Sequence, residues 1–104
     1  MKENRIHPRF DTAIKIQDLI TLKTGLARNL SLGGCLIEKS DAFDFLPMAS
    51  RLTLAIELPG ANKPLKANGI VRQRGKYREG FGIQFEALDK ESAYYIEKYI
   101  GTFL

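Results

Sequence analysis

Along most of the chain, apolar and polar residues alternate with a period of two. That is the pattern of strands with one buried face. The clearest stretch is Arg51 to Leu58, where Leu52, Leu54, Ile56 and Leu58 are large aliphatics and the residues between them are small or polar. Pro59-Gly60 then supplies a turn pair. Phe10, Ile14 and Ile16 alternate with Asp11, Lys15 and Gln17. Ile20 and Leu22 extend this even-numbered face, and beyond Gly25 so do Leu26 and Leu30. Cys35 to Glu38 reads as a short strand behind two glycines. Leu65, Ala67 and Val71 alternate with Lys66, Asn68 and Arg72, and Phe81, Ile83 and Phe85 with Gly80, Gly82 and Gln84. Gly80 and Gly82 leave one face of the last strand without side chains, so that face can lie against another backbone or curve sharply. About six short strands with turn signals between them predict a small all-β barrel or sandwich.

The period changes near the end. Asp89 suits a helix N-cap. Leu88, Tyr95, Ile96, Tyr99, Ile100 and Phe103 recur at three- and four-residue spacing. This predicts one helix over 89–101, about three turns long, with Gly101 near its end. Its apolar stripe is expected to cover an open side of the barrel. Residues 41–49 fit either a loop or a short helical turn.

Composition narrows the class. With 104 residues, 44% of them apolar, the chain is long enough for one cored domain and too apolar for a disordered one. Cys35 is the only cysteine, which excludes an internal disulfide and a cysteine-rich zinc site and fits a reducing compartment. No apolar run approaches the ~20 residues of a membrane span, and Met-Lys-Glu-Asn-Arg leads into no apolar signal segment. The expectation is a soluble protein, cytoplasmic in a bacterium. The net charge of +4 favours an anionic partner without choosing one.

Little in the chain suggests catalysis. His7 is the only histidine, and nothing in the sequence brings it to Cys35, which sits in an apolar strand as a small hydrophobe. There is no phosphate loop ending in Lys-Ser or Lys-Thr, no dinucleotide fingerprint after a strand, and no metal-ligand spacing among the acidic residues. The chain therefore reads as a binding protein and not an enzyme, with no cofactor.

Two short motifs carry binding chemistry. In Arg5-Ile6-His7-Pro8-Arg9, Pro8 disfavours a helix, so the two arginines sit on a semi-extended arm. Guanidinium meets a phosphate, or the O6/N7 edge of guanine, with paired hydrogen bonds and can stack on a base. The same arm also reads as a solvated basic terminus. In Asn29-Leu30-Ser31-Leu32-Gly33-Gly34, Asn29 offers a donor and an acceptor and Ser31 a hydroxyl. The glycines allow positive φ and hence a sharp turn. Asn29 and Ser31 can read a base edge, or simply bond the local backbone of that turn.

Taken together, Arg-x-x-x-Arg before the first strand and Asn-x-Ser-x-x-Gly twenty residues on resemble the signature of the PilZ domain family, at Arg5 and Arg9, then Asn29, Ser31 and Gly34. Gly69-Ile70-Val71-Arg72 and Gly80-Phe81-Gly82-Ile83-Gln84-Phe85 look like that family's last two strands, and the helix falls where the family has one. The resemblance covers essentially all of residues 1–104, as one stand-alone domain: an arm over 1–9, a barrel over 10–86 and a helix over 89–101. It implies a six-stranded antiparallel β-barrel with a C-terminal α-helix that binds cyclic di-GMP, a bacterial second messenger. It also implies that Arg5 and Arg9 contact guanine and phosphate, that Asn29 and Ser31 contact guanine, and that Gly34 permits the turn. Asn4 stands where relatives holding two intercalated ligands often have a further arginine, which favours one ligand per domain. The implied function is a cyclic di-GMP receptor whose arm changes conformation on binding and signals to a partner protein. Two alternatives are a small barrel binding single-stranded nucleic acid, with Tyr77 between Lys76 and Arg78 as its exposed aromatic, and a PilZ adaptor that binds no nucleotide.

Overall fold

Alternation along the chain becomes six strands: β1 (Phe10–Asp18), β2 (Thr24–Leu30), β3 (Gly34–Ile37), β4 (Arg51–Ile56), β5 (Leu65–Arg74) and β6 (Phe81–Ala87). One helix, α1 (Lys90–Gly101), follows. The computed structural model describes residues 10–40, 43, 46–74 and 80–102. The arm over 1–9, Lys76-Tyr77-Arg78 and Phe103 lie outside the described residues.

The strands close into a barrel in the order β1-β2-β3-β6-β5-β4. Every pairing is antiparallel, and β1 meets β4 to complete the ring through Ile16–Ile56, Gln17–Ala55 and Asp18–Leu54. Closure satisfies the strand edges that an open sheet would leave unpaired. The inward residues form one core. Ile14 and Ile16 come from β1, Leu52, Leu54 and Ile56 from β4, Leu65, Ala67 and Val71 from β5, and Phe81, Ile83 and Phe85 from β6. Each large aliphatic buried this way contributes about 1.5–3 kcal/mol relative to leaving it exposed. Phe43, from the ambiguous stretch 41–49, is also buried in this core.

The even-numbered face expected to run through Ile20, Leu22, Leu26 and Leu30 breaks twice. First, β1 ends at Asp18. Its carboxylate accepts from the Ile20 amide (2.9 Å) and the Thr21 hydroxyl (3.1 Å), and the Leu22 amide donates to its carbonyl (2.7 Å). This turn puts Ile20 77% and Leu22 64% exposed, and holds Leu22 at φ 64°. Second, in β2 it is Ala27 and Leu30 that face inward, and Leu26 is exposed. The β2–β3 register shifts between Ala27 and Asn29. An extra residue there flips the parity, so two inward positions sit three residues apart.

Helix α1 starts at Asp89, whose carboxylate accepts from the Ser92 amide at 2.7 Å. The hydrogen bond from the Ser92 amide, aided by the Lys63 charge, holds the Asp89 carboxyl below its ordinary pKa. Ser92 also donates from its hydroxyl to the Lys66 carbonyl (3.4 Å), tying the helix to β5. Ile96 is fully buried, and Leu88, Tyr95, Tyr99 and Ile100 pack against the core. The apolar stripe covers the barrel, as its spacing predicted. Among the described residues, no helix is long and apolar enough to cross a membrane.

Candidate ligand-binding site

The second motif spans the end of β2, the β2–β3 turn and the first residue of β3. Asn29 pairs with Asp11 on one side and Leu36 on the other. Its neighbour Leu30 points into the core, so Asn29 lies on the outer face of the strand, half-buried. Ser31 is 1% exposed. Its amide donates to the Gly34 carbonyl at 2.9 Å, its hydroxyl donates to the same oxygen at 3.4 Å, and it accepts from the Gly33 amide at 3.1 Å. Its hydroxyl therefore serves the turn itself. The turn is tied to β6 as well, because the Phe85 amide donates to the Gly33 carbonyl at 2.9 Å.

Gly34 is needed for a different reason from the one expected. Neither Gly33 nor Gly34 has a positive φ. Among the described glycines, Gly60 and Gly80 do. What excludes a side chain at Gly34 is close approach: a Cβ there would sit 1.9 Å from the Ile83 carbonyl oxygen and 3.2 Å from the Gln84 Cα. The glycine lets β3 lie tightly on β6. Gly80 combines both constraints, with φ 82° and the Ile37 carbonyl oxygen 1.9 Å from a built Cβ.

Arg5 and Arg9 lie outside the described residues. The chain enters β1 at Phe10, which pairs with Leu30, and Asp11 pairs with Asn29. The β1–β2 register thus sets the strand that follows Arg9 beside the second motif.

The outer face of the neighbouring β6, and of β5 and β4 beyond it, carries polar pairs. Arg72 Nε donates to Gln84 Oε1 at 2.7 Å, Arg51 Nε meets both Glu86 carboxylate oxygens at 3.2 Å, and Thr53 bonds Asn68 at 3.1 Å. Alternation alone puts Arg72 and Gln84 on the polar faces of their strands. It carries no sign that they meet, because that depends on how β5 registers with β6. Two surface clefts, one lined by 57–59 and 61–64 and the other by Asn62, Lys63, Glu91 and Tyr95, include no motif residue. Among the described residues, no His, Cys, Asp and Glu group is placed to hold a metal ion. Cys35 is buried in the core.

The comparisons with known proteins agree with this architecture. The Bacillus subtilis inhibitor of motility MotI/DgrA has a similar structure, with a TM-score of 0.79 at 18% identity over 98% of this chain and 52% of that one. The chain spans about half the length of that protein, and at this identity the likeness speaks to fold alone. No curated protein matches in sequence. The PilZ domain profile matches residues 2–102, nearly the whole chain. A six-stranded antiparallel barrel with one C-terminal helix, matched by that profile over nearly all of its residues, belongs to the PilZ domain family, a family of cyclic di-GMP receptors.

Proposed function

We propose that this domain is a cyclic di-GMP receptor that signals to a partner protein through its N-terminal arm and performs no chemistry itself. The observation that carries the reading is the β1–β2 register. Phe10 opposite Leu30 and Asp11 opposite Asn29 bring the chain following Arg9 alongside the second motif. Cyclic di-GMP offers two phosphates and two guanines, and the residues of the two motifs suit both. Arg5 and Arg9 supply planar donor forks for phosphate and the guanine edge. Asn29, on the outer face, supplies a donor and an acceptor for a base. Ser31 and Gly34 keep the turn close against β6, so that Asn29 is presented on a rigid strand end. Closure of the arm over the ligand creates a new surface, and the ordering entropy is offset by the new contacts.

A micromolar dissociation constant corresponds to about −8 kcal/mol. Charge-assisted hydrogen bonds contribute roughly 1.5–3 kcal/mol each, so losing one arginine's contacts weakens binding about tenfold or more. Titration calorimetry with cyclic di-GMP is the test. The wild-type chain binds in the micromolar range, more weakly as salt rises. Arg9→Ala abolishes micromolar binding with its melting temperature unchanged. Folded wild-type protein that ignores the ligand at high micromolar concentration in low salt ends the proposal. For single-strand nucleic acid binding, Phe81 and Phe85 of β6 offer no stacking surface, because both are buried.

A further inference from the structure

One row of residues crosses the outer face of the barrel beside the β2–β3 turn. Gly34 pairs with Gln84, Gln84 with Ile70, and Ile70 with Arg51, across β3, β6, β5 and β4. Gly34 presents no side chain, so the turn borders Gln84 directly. Arg72, on the same outer face, donates from Nε to Gln84 Oε1 at 2.7 Å.

Arg51 and Arg72 are employed differently. Arg51 is matched by the Glu86 carboxylate, with both oxygens 3.2 Å from its Nε. Arg72 is held by a neutral amide, which orients the guanidinium without cancelling its charge. The bond uses Nε. It leaves to other partners the terminal Nη groups, which are the ones that form paired bonds with phosphate oxygens. An exposed, oriented cation next to a rigid turn is what recognition of an anion requires.

We propose that Arg72 is a further ligand-binding residue of this domain. Its guanidinium takes a phosphate of cyclic di-GMP seated over Gly34, and Gln84 is the residue that positions it. This rests on the receptor reading above. It adds a cation from the sheet to those of the N-terminal segment, and it makes β5 and β6 part of the binding surface.

The test is calorimetric titration of cyclic di-GMP into the wild-type chain and four variants, at low and moderate salt, each checked by a thermal melt. Arg72→Ala weakens binding by about tenfold or more, the loss expected for a charge-assisted contact, and flattens the dependence on salt. Arg72→Lys recovers only part of the affinity, because a point charge cannot make the paired contact. Gln84→Glu keeps Arg72 in place but neutralises it, and weakens binding about as much as Arg72→Ala. Arg51→Ala removes the same formal charge from the same face and stays within about twofold of wild type, because its charge is already paired. Wild-type affinity in Arg72→Ala overturns the assignment of Arg72 and leaves the receptor reading standing. Equal losses in Arg51→Ala and Arg72→Ala reduce the effect to general surface charge and overturn it too. Absence of binding by the wild-type chain overturns the receptor reading itself.

Discussion

Replacing Gly34 with alanine is expected to cost the domain a large share of its stability, for a reason that can be worked from the ladder. The added methyl would lie 1.9 Å from the Ile83 carbonyl oxygen, 3.0 Å from its carbon and 3.2 Å from the Gln84 Cα. All three are backbone atoms, so no rotamer change relieves the overlap. Carbon–oxygen contacts in sheets lie near 3.3–3.6 Å, so β3 and β6 must part by more than about 1 Å at that point. The strand is only four residues long, and the turn bonds from Ser31 to Gly34 and from Phe85 to Gly33 lie at the same end. Losing these two bonds at about 1 kcal/mol each, with about 1–3 kcal/mol for overpacking, gives a loss of about 3–5 kcal/mol. Domains have only about 5–15 kcal/mol in total. At about 4–8 °C per kcal/mol for a domain of this size, the melting temperature falls by roughly 12–40 °C. Circular dichroism melts and urea unfolding measure this, with Gly60→Ala as the control. Gly60 has φ 91° and nothing within 4 Å of a built Cβ, so alanine there costs only the left-handed backbone preference, about 1–2 kcal/mol. A Gly34→Ala protein within 1 kcal/mol of wild type by this measure would refute the close-approach account. So would a loss no larger than that of Gly60→Ala.

Other consequences follow from the same geometry. Ser31→Ala removes a buried hydroxyl with two turn bonds and should cost about 1–3 kcal/mol in urea unfolding, with weaker ligand binding as the turn loosens. Leu22→Gly relieves a leucine at φ 64° whose side chain is largely exposed. It should raise stability by about 0.5–1 kcal/mol, the left-handed cost removed less the added chain entropy of glycine. Asp89 has a lowered pKa in the folded state through the hydrogen bond from the Ser92 amide. Its stabilising contribution is therefore complete above the unfolded value of about 3.9 and is lost as pH falls through the lower folded value. The melting-temperature gap between wild type and Asp89→Ala should be constant from pH 7 to about pH 5 and should close below about pH 4.

Much of this domain is legible in the order of its residues. Leu52, Leu54, Ile56 and Leu58 declare an inward face that the barrel uses, because side-chain alternation within one strand is a local property of the backbone. The helix is equally plain, since Asp89 caps it and Ile96, Tyr99 and Ile100 recur at its period. The motif residues Asn29, Ser31 and Gly34 could be picked out as a group, but not the work each does. Three matters waited for the tertiary structure. The parity of β2 depends on a register shift opposite β3. The need for glycine at 34 comes from the Ile83 carbonyl, far away in sequence. The Arg72–Gln84 pair exists because β5 lies beside β6, with a register shift between Val71 and Gln73 that spans Arg72. In each case the deciding partner sits on another strand, and period-two alternation records which way a side chain points without recording what it will meet.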